Sequence, residues 1–168
     1  MEAQIIRVAD EYDAIVAKRR YKTHVNISET LHEIIKDAQP DPKFVAFDQL
    51  AEHSKVGKVN KRVVRALFKV VIDDINYEIY FLYEYLDYLK DNIKRLELIR
   101  KYAEKMNEVK SESKKNYYKE GMKMLFMADE NFDNYLQVYE DYKNALVIRT
   151  DRIRMLKEEI KIIKKLEV

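Results

Sequence analysis

From residue 58 onward, apolar residues recur at alternating intervals of four and three. Ile75, Ile79, Leu82, Leu86, Leu89, Ile93 and Leu96 form one series, resumed after one irregular spacing at Ile99, Ala103 and Met106. After a polar interval at 107–116 comes a second series: Tyr118, Leu125, Ala128, Phe132, Tyr135, Tyr139, Tyr142, Leu146, Ile153, Leu156, Ile160 and Ile163. Only Gly121, Arg149 and Glu167 interrupt its heptad. A repeat of about 3.5 residues predicts two long helices, each held to a partner by a narrow apolar stripe. The first series, extended forward, falls one residue out of phase with the second, which predicts a turn near 107–117. The segment Ile75–Tyr83 has high β propensity, but no turn dipeptide flanks it and the heptad runs straight through, which decides for helix.

Before residue 58 the punctuation changes. Pro40, Pro42 and Gly57 divide this part into short pieces. Residues 2–21 carry Ile5, Ile6, Val8, Ala9, Tyr12, Ile15 and Val16 at helical spacing. Asn26 and Glu29 have the spacing of a capping box ahead of Leu31, Ile34 and Ile35. Asp41-Pro42 marks a further helix start, followed by Phe44, Val45, Phe47, Leu50 and Ala51. The expected architecture is all-α: a small N-terminal helical head over residues 1–57, then a long antiparallel coiled-coil helical hairpin over 58–168. The start of the first long helix packs with the head. A helix from 60 to 108 spans roughly 70–75 Å, against a radius of gyration of about 15 Å for a compact chain of this length. The expected molecule is therefore elongated.

Composition narrows the chemistry. With two glycines and two prolines among 168 residues, a turn-rich β-sandwich or barrel is excluded. Without cysteine there is no disulfide framework, thiolate metal site or thiol nucleophile. The serines at 28, 54, 111 and 113 lie at caps and polar connections, and two glycines far apart build no phosphate-cradling loop. Glu29-x-x-His32 has the spacing of half a carboxylate–histidine pair, yet His24 and His53 lack a matching Glu. The reading is a protein that is not an enzyme, with no cofactor, metal or small-molecule substrate. The longest uncharged stretch is too short to cross a bilayer, so no membrane partner and a cytoplasmic location are expected.

Charge is balanced overall, 32 Lys+Arg against 30 Asp+Glu, but not locally. Between Glu52 and Asp73 lie Lys55, Lys58, Lys61, Arg62, Arg65 and Lys69 with no acid among them. On a helix Lys61, Arg62, Arg65 and Lys69 share one side, with Val63, Val64, Leu67, Val70 and Val71 broadly opposite. Asp48-Gln49-Leu50-Ala51-Glu52-His53, followed by Asn60-Lys61-Arg62-Val63-Val64-Arg65-Ala66-Leu67, resembles the helix-turn-helix pattern of transcriptional regulators over residues 44–70. Its turn is longer than in that pattern and no β-hairpin wing follows. The resemblance implies double-stranded DNA as partner, with Lys58, Asn60, Lys61, Arg62, Arg65 and Lys69 facing it. A solvated basic face on a helix that packs by its valines accounts for the same residues.

Beyond the basic stretch, Tyr77, Tyr80, Tyr83, Tyr85 and Tyr88 crowd the outer side of the first long helix. Arg149 stands where an apolar seam residue is expected, placed to fix register, to pair with an acid, or to reach the seam's edge. Tyr77, Tyr80, Tyr83 and Arg149 are therefore candidate partner-binding residues. Two functions follow. One is a nucleic-acid-binding regulator or architectural protein dimerising through a coiled coil. The other is a helical protein–protein interaction module (adaptor, assembly subunit or inhibitor) with no nucleic-acid binding, as a homodimer or with a partner helical protein.

Overall fold

The computed structural model describes residues 2–20, 27–39 and 59–166. The chain is all-α: α1 Glu2–Arg20, α2 Ile27–Ala38, α3 Lys61–Glu108, α4 Glu112–Leu125 and α5 Tyr135–Lys165, with no strand among the described residues. The Asn26 cap, the helix start at Asp41-Pro42, the apolar stretch 44–53, Gly57 and Lys58 lie outside the described residues. No described helix is long and apolar enough to cross a membrane. The chain divides into two compact units, one of residues 1–78 with 155–168, the other of residues 79–154.

In the first unit, α2 buries Leu31, Ile34, Ile35 and Ala38, α3 buries Val63, Val64, Phe68, Val71 and Ile75, and α5 buries Leu156, Ile160 and Ile163. Among the described side chains of α1, those of residues 2–14, Val8 is buried while Ile5 and Ile6 stay exposed. Polar bonds tie the elements together. The Ile27 N–H, an orphan donor of the first turn of α2, donates to Glu159 Oε1 of α5 at 2.9 Å. Val59 N–H donates to the Asp37 carbonyl at 3.2 Å, closing the approach from α2 to α3. Burial, then the charges of Asp74 and Glu159, push the Tyr12 hydroxyl above its ordinary pKa.

In the second unit the seam of α3 is inward: Ile79, Leu86, Leu89, Leu96 and Ile99 are buried, and Leu82 and Ile93 are partly so. α3 ends at Glu108 and α4 begins at Glu112, a short break inside the polar interval. Leu96, Ile99 and Met122 form a core against which Tyr102, Leu125, Phe126, Phe132, Tyr135, Val138, Tyr139 and Tyr142 pack. Gly121 of α4 lies against a ring of α3: a Cβ there would sit 2.9 Å from Tyr102 Cε2. A side chain at 121 would have to displace a ring packed 5.8 Å from that of Tyr118.

The second apolar series is not one helix. Residues 126–134 break it, although the heptad passes through them. Phe126 turns extended (φ −68°, ψ 138°) and ends α4. Asn131 Oδ1 then accepts from the N–H groups of Asp133 (2.8 Å) and Asn134 (3.1 Å), while Asn134 Oδ1 accepts from Asn131 N–H (2.8 Å). These short amides offer the backbone a local alternative to the helix. Arg95 of α3 fixes the break. Its guanidinium makes a fork to Glu130 (2.5 and 2.6 Å) and also donates to the Leu125 carbonyl (2.8 Å) and to Asn92 Oδ1 (3.0 Å). Glu130 also accepts from Met127 N–H at 3.0 Å.

Pairing across the two sides of the break differs. Tyr102 stands beside Tyr118, so an unbroken antiparallel pair would set residue 132 opposite Tyr88. Tyr88 instead meets Tyr142, ring centroids 6.3 Å apart, so the break takes up ten residues (142 against 132).

Arg95 and Glu130 are 17 % and 4 % exposed, so removing one leaves the other desolvated. Arg95→Met should cost about 3 kcal/mol in urea unfolding, and adding Glu130→Leu should recover most of it. The bond to Arg95 holds the Glu130 carboxyl below its usual range. That stabilisation is complete above the ordinary carboxylate range and is lost as pH falls through the lowered value. The stability gap between wild type and Glu130→Gln should close there.

Candidate functional site

Lys58 apart, the residues singled out by the sequence fall at the start of α3 in one unit and further along α3 into the other, with Arg149 on α5. In the first unit Asn60 caps α3. Its Oδ1 accepts from Arg62 N–H at 2.8 Å and its carbonyl from Val63 and Val64 N–H at 3.0 and 3.1 Å. The Asn60 side-chain oxygen is thus engaged within the chain. Lys61, Arg62, Arg65 and Lys69 are all exposed. Spacing of four places Lys61, Arg65 and Lys69 on one ridge of the helix and Arg62, Ala66 and Val70 on the ridge beside it.

Val70, expected inside with Val63, Val64, Leu67 and Val71, is 56 % exposed, and Phe68 is buried in its stead. The inward row of α3 runs Val64, Phe68, Val71 and Ile75, which leaves Val70 well round the helix from its centre. Val70 lines a groove of about 380 Å³ between α3 and α1, with Ile5, Val8, Ala9, Arg62, Val63, Ala66 and Leu67. Tyr77, further along the same unit, is exposed.

In the second unit Tyr80, Phe81, Tyr83, Tyr85 and Tyr88 are exposed along two and a half turns. Tyr80 and Phe81 meet edge to face at 5.5 Å, and Tyr85 stacks on Tyr88 at 5.9 Å with 16° between ring planes. The Arg149 guanidinium carbon lies 5.9 Å from the Tyr85 ring centroid. Arg149 is exposed and sits over an aromatic face rather than in the seam. Phe81 belongs with the tyrosines although the sequence reading did not choose it. The signal was its place between the heptad positions Ile79 and Leu82, off the apolar stripe. Arg95, Asn92 and Glu130 were also missed, since nothing local announces a pair 35 residues apart.

His32 is exposed, and no group of three His, Cys, Asp or Glu able to hold a metal occurs among the described residues. A larger cleft of about 540 Å³ beside the 109–111 break is lined by Met106, Asn107, Glu112, Lys115, Asn116, Lys119 and Phe132, and it mixes charges of both signs.

One tyrosine stands apart. Tyr142 has its hydroxyl 3.5 Å from that of Tyr88. That bond first, and burial second, push its pKa up to about 12. The fold favours the protonated phenol, so this stabilisation is whole below the ordinary value of about 10 and is lost as pH rises through 12. Ultraviolet titration of phenolate should show a late-ionising step to which Tyr142 contributes alongside Tyr12, and Tyr88→Phe should bring the Tyr142 part of it down.

No protein-family model matches the chain, and no curated protein or solved structure matches it at a significant level.

Proposed function

We propose that the chain is a non-enzymatic helical interaction module that engages a second protein chain through the aromatic face of α3. The observation that carries this reading is the exposure of Tyr80 (56 %) and Phe81 (51 %), with Tyr83, Tyr85 and Tyr88 beside them, on a helix whose seam is buried. Aromatic rings on an ordered helix lose little freedom on binding and bury large area, and they are enriched at interface centres. The partner is another copy of this chain or a different helical protein. Sedimentation across a range of concentrations tests the first form. The wild type should self-associate, and Tyr80→Glu with Phe81→Glu should weaken association at least tenfold, on the order of a central interface residue, with helix content unchanged. A wild type that stays monomeric would assign the face to a foreign partner.

Double-stranded DNA is the second reading, favoured by one observation: α3 carries Lys61, Arg62, Arg65 and Lys69 exposed on its outer side, with no acid before Asp73. Phosphate contacts of that kind weaken steeply with salt. Fluorescence anisotropy with a labelled duplex at low and high salt should give salt-sensitive binding that Lys61→Glu, Arg62→Glu and Arg65→Glu together abolish. Absence of binding at low salt removes this reading.

A further inference from the structure

We propose that the occupant of the aromatic face is a second copy of this chain, lying antiparallel along α3 so that each copy's cationic start meets the other's acidic stretch. This rests on the aromatic face being a protein interface, and it names what covers that face. α3 is one unbroken helix from Lys61 to Glu108. At about 100° per residue, Arg62, Lys69, Tyr77, Tyr80, Glu84 and Asp91 fall within a sector of about 80°. All six are exposed. Cations stand at one end of this stripe, tyrosines in its centre and carboxylates at the other end.

The spacing makes the stripe complementary to itself. Its charged positions recur at seven residues, Arg62 to Lys69 and Glu84 to Asp91, close to two helical turns. A two-fold axis between Asn76 and Tyr77 then pairs Lys69 with Glu84, each seven residues out, and Arg62 with Asp91, each fourteen out. Asp73 comes opposite Tyr80, and Tyr77 meets its own copy beside the axis. A parallel arrangement would set cation on cation and acid on acid. Arg62, Lys69 and Glu84 make no ion pair among the described residues, and Asp91 meets Lys94 at 3.6 Å with both side chains exposed, a contact of little energy. The apolar surface obeys the same register. Phe81 comes within a turn of the other copy's Val70, and Tyr88 within a turn of its Ala66. Val70 and Ala66 line the apolar groove of about 380 Å³ beside α1, and Val70 is 56 % exposed. Exposed rings of one copy therefore cover the exposed apolar wall of the other. An interface that uses the same patch twice closes on two copies.

The test is sedimentation equilibrium on the full chain and two charge-reversed variants, Arg62→Glu with Lys69→Glu, and Glu84→Lys with Asp91→Lys. All four positions are exposed, so helix content by circular dichroism should match wild type. Wild type should dimerise, and each variant alone should do so more weakly by about tenfold or more, because like charges then face each other. An equimolar mixture of the two variants should restore dimerisation, since every cation again meets an acid across the axis, and a chain carrying all four substitutions should do the same. A monomeric wild type overturns the proposal and leaves the aromatic face to a foreign partner. Dimerisation that is indifferent to the charge reversals, or a mixture that stays as weak as its components, overturns it as well. In those cases Tyr80→Glu with Phe81→Glu still reports on the aromatic face by itself, so the two readings fail separately.

Discussion

The guanidinium of Arg95 decides the path of the chain after α4. An apolar stripe of heptad spacing specifies which side of a helix is inward, but it does not say whether the helix continues. Continuation would keep the stripe intact through Ala128 and Phe132. The chain turns instead, because the turn gives Arg95 a carboxylate and the Leu125 carbonyl at once, beside the Asn92 amide of its own helix. A buried ion pair of this kind adds little stability over a well-packed apolar core, yet breaking it is costly, and that asymmetry suits a device that specifies one structure over another. The Arg95 Nε–H stays buried without an acceptor, a cost of about 1–3 kcal/mol that stands against the fork.

Helix class and the inward stripes were legible because they depend on periodicity, a property of short windows. The α3 seam from Ile75 to Ile99 and the short break after Glu108 follow directly from spacing and from the polar interval. The break at 126–134 was written in the sequence in a different form, as the Asx-rich run Asp129, Asn131, Asp133 and Asn134, and the heptad spoke more loudly. Val70 and Phe68 were exchanged because a helical wheel gives angles but not which sector faces the neighbouring helices. The cations of α3 were legible as a charge pattern. The groove beside them was not, since Ile5 and Val70 are 65 residues apart and meet only through tertiary packing.

The two candidate surfaces share a physical origin. A helix of 48 residues has far more circumference than a single narrow seam can cover, so much of it faces outward. On α3 that outward surface is not uniformly polar. It is cationic and apolar near Lys61 and aromatic near Tyr80. Ordinary solubility asks for neither, and both fit a chain whose remaining burial is completed by something else.

The register change at the break has a kinetic side. Because the apolar repeat is continuous, a pairing in which residue 132 lies against Tyr88 still buries apolar side chains, whereas the native pairing sets Tyr142 there. A chain that zipped its long helices in that slipped pairing would have to reopen it before Tyr88 and Tyr142 could meet. Contacts close in sequence form ahead of distant ones, and the Asn131–Asn134 turn is the most local structure in this region. An Asn131–Asn134 turn formed ahead of the flanking helices would exclude the slipped pairing from the start.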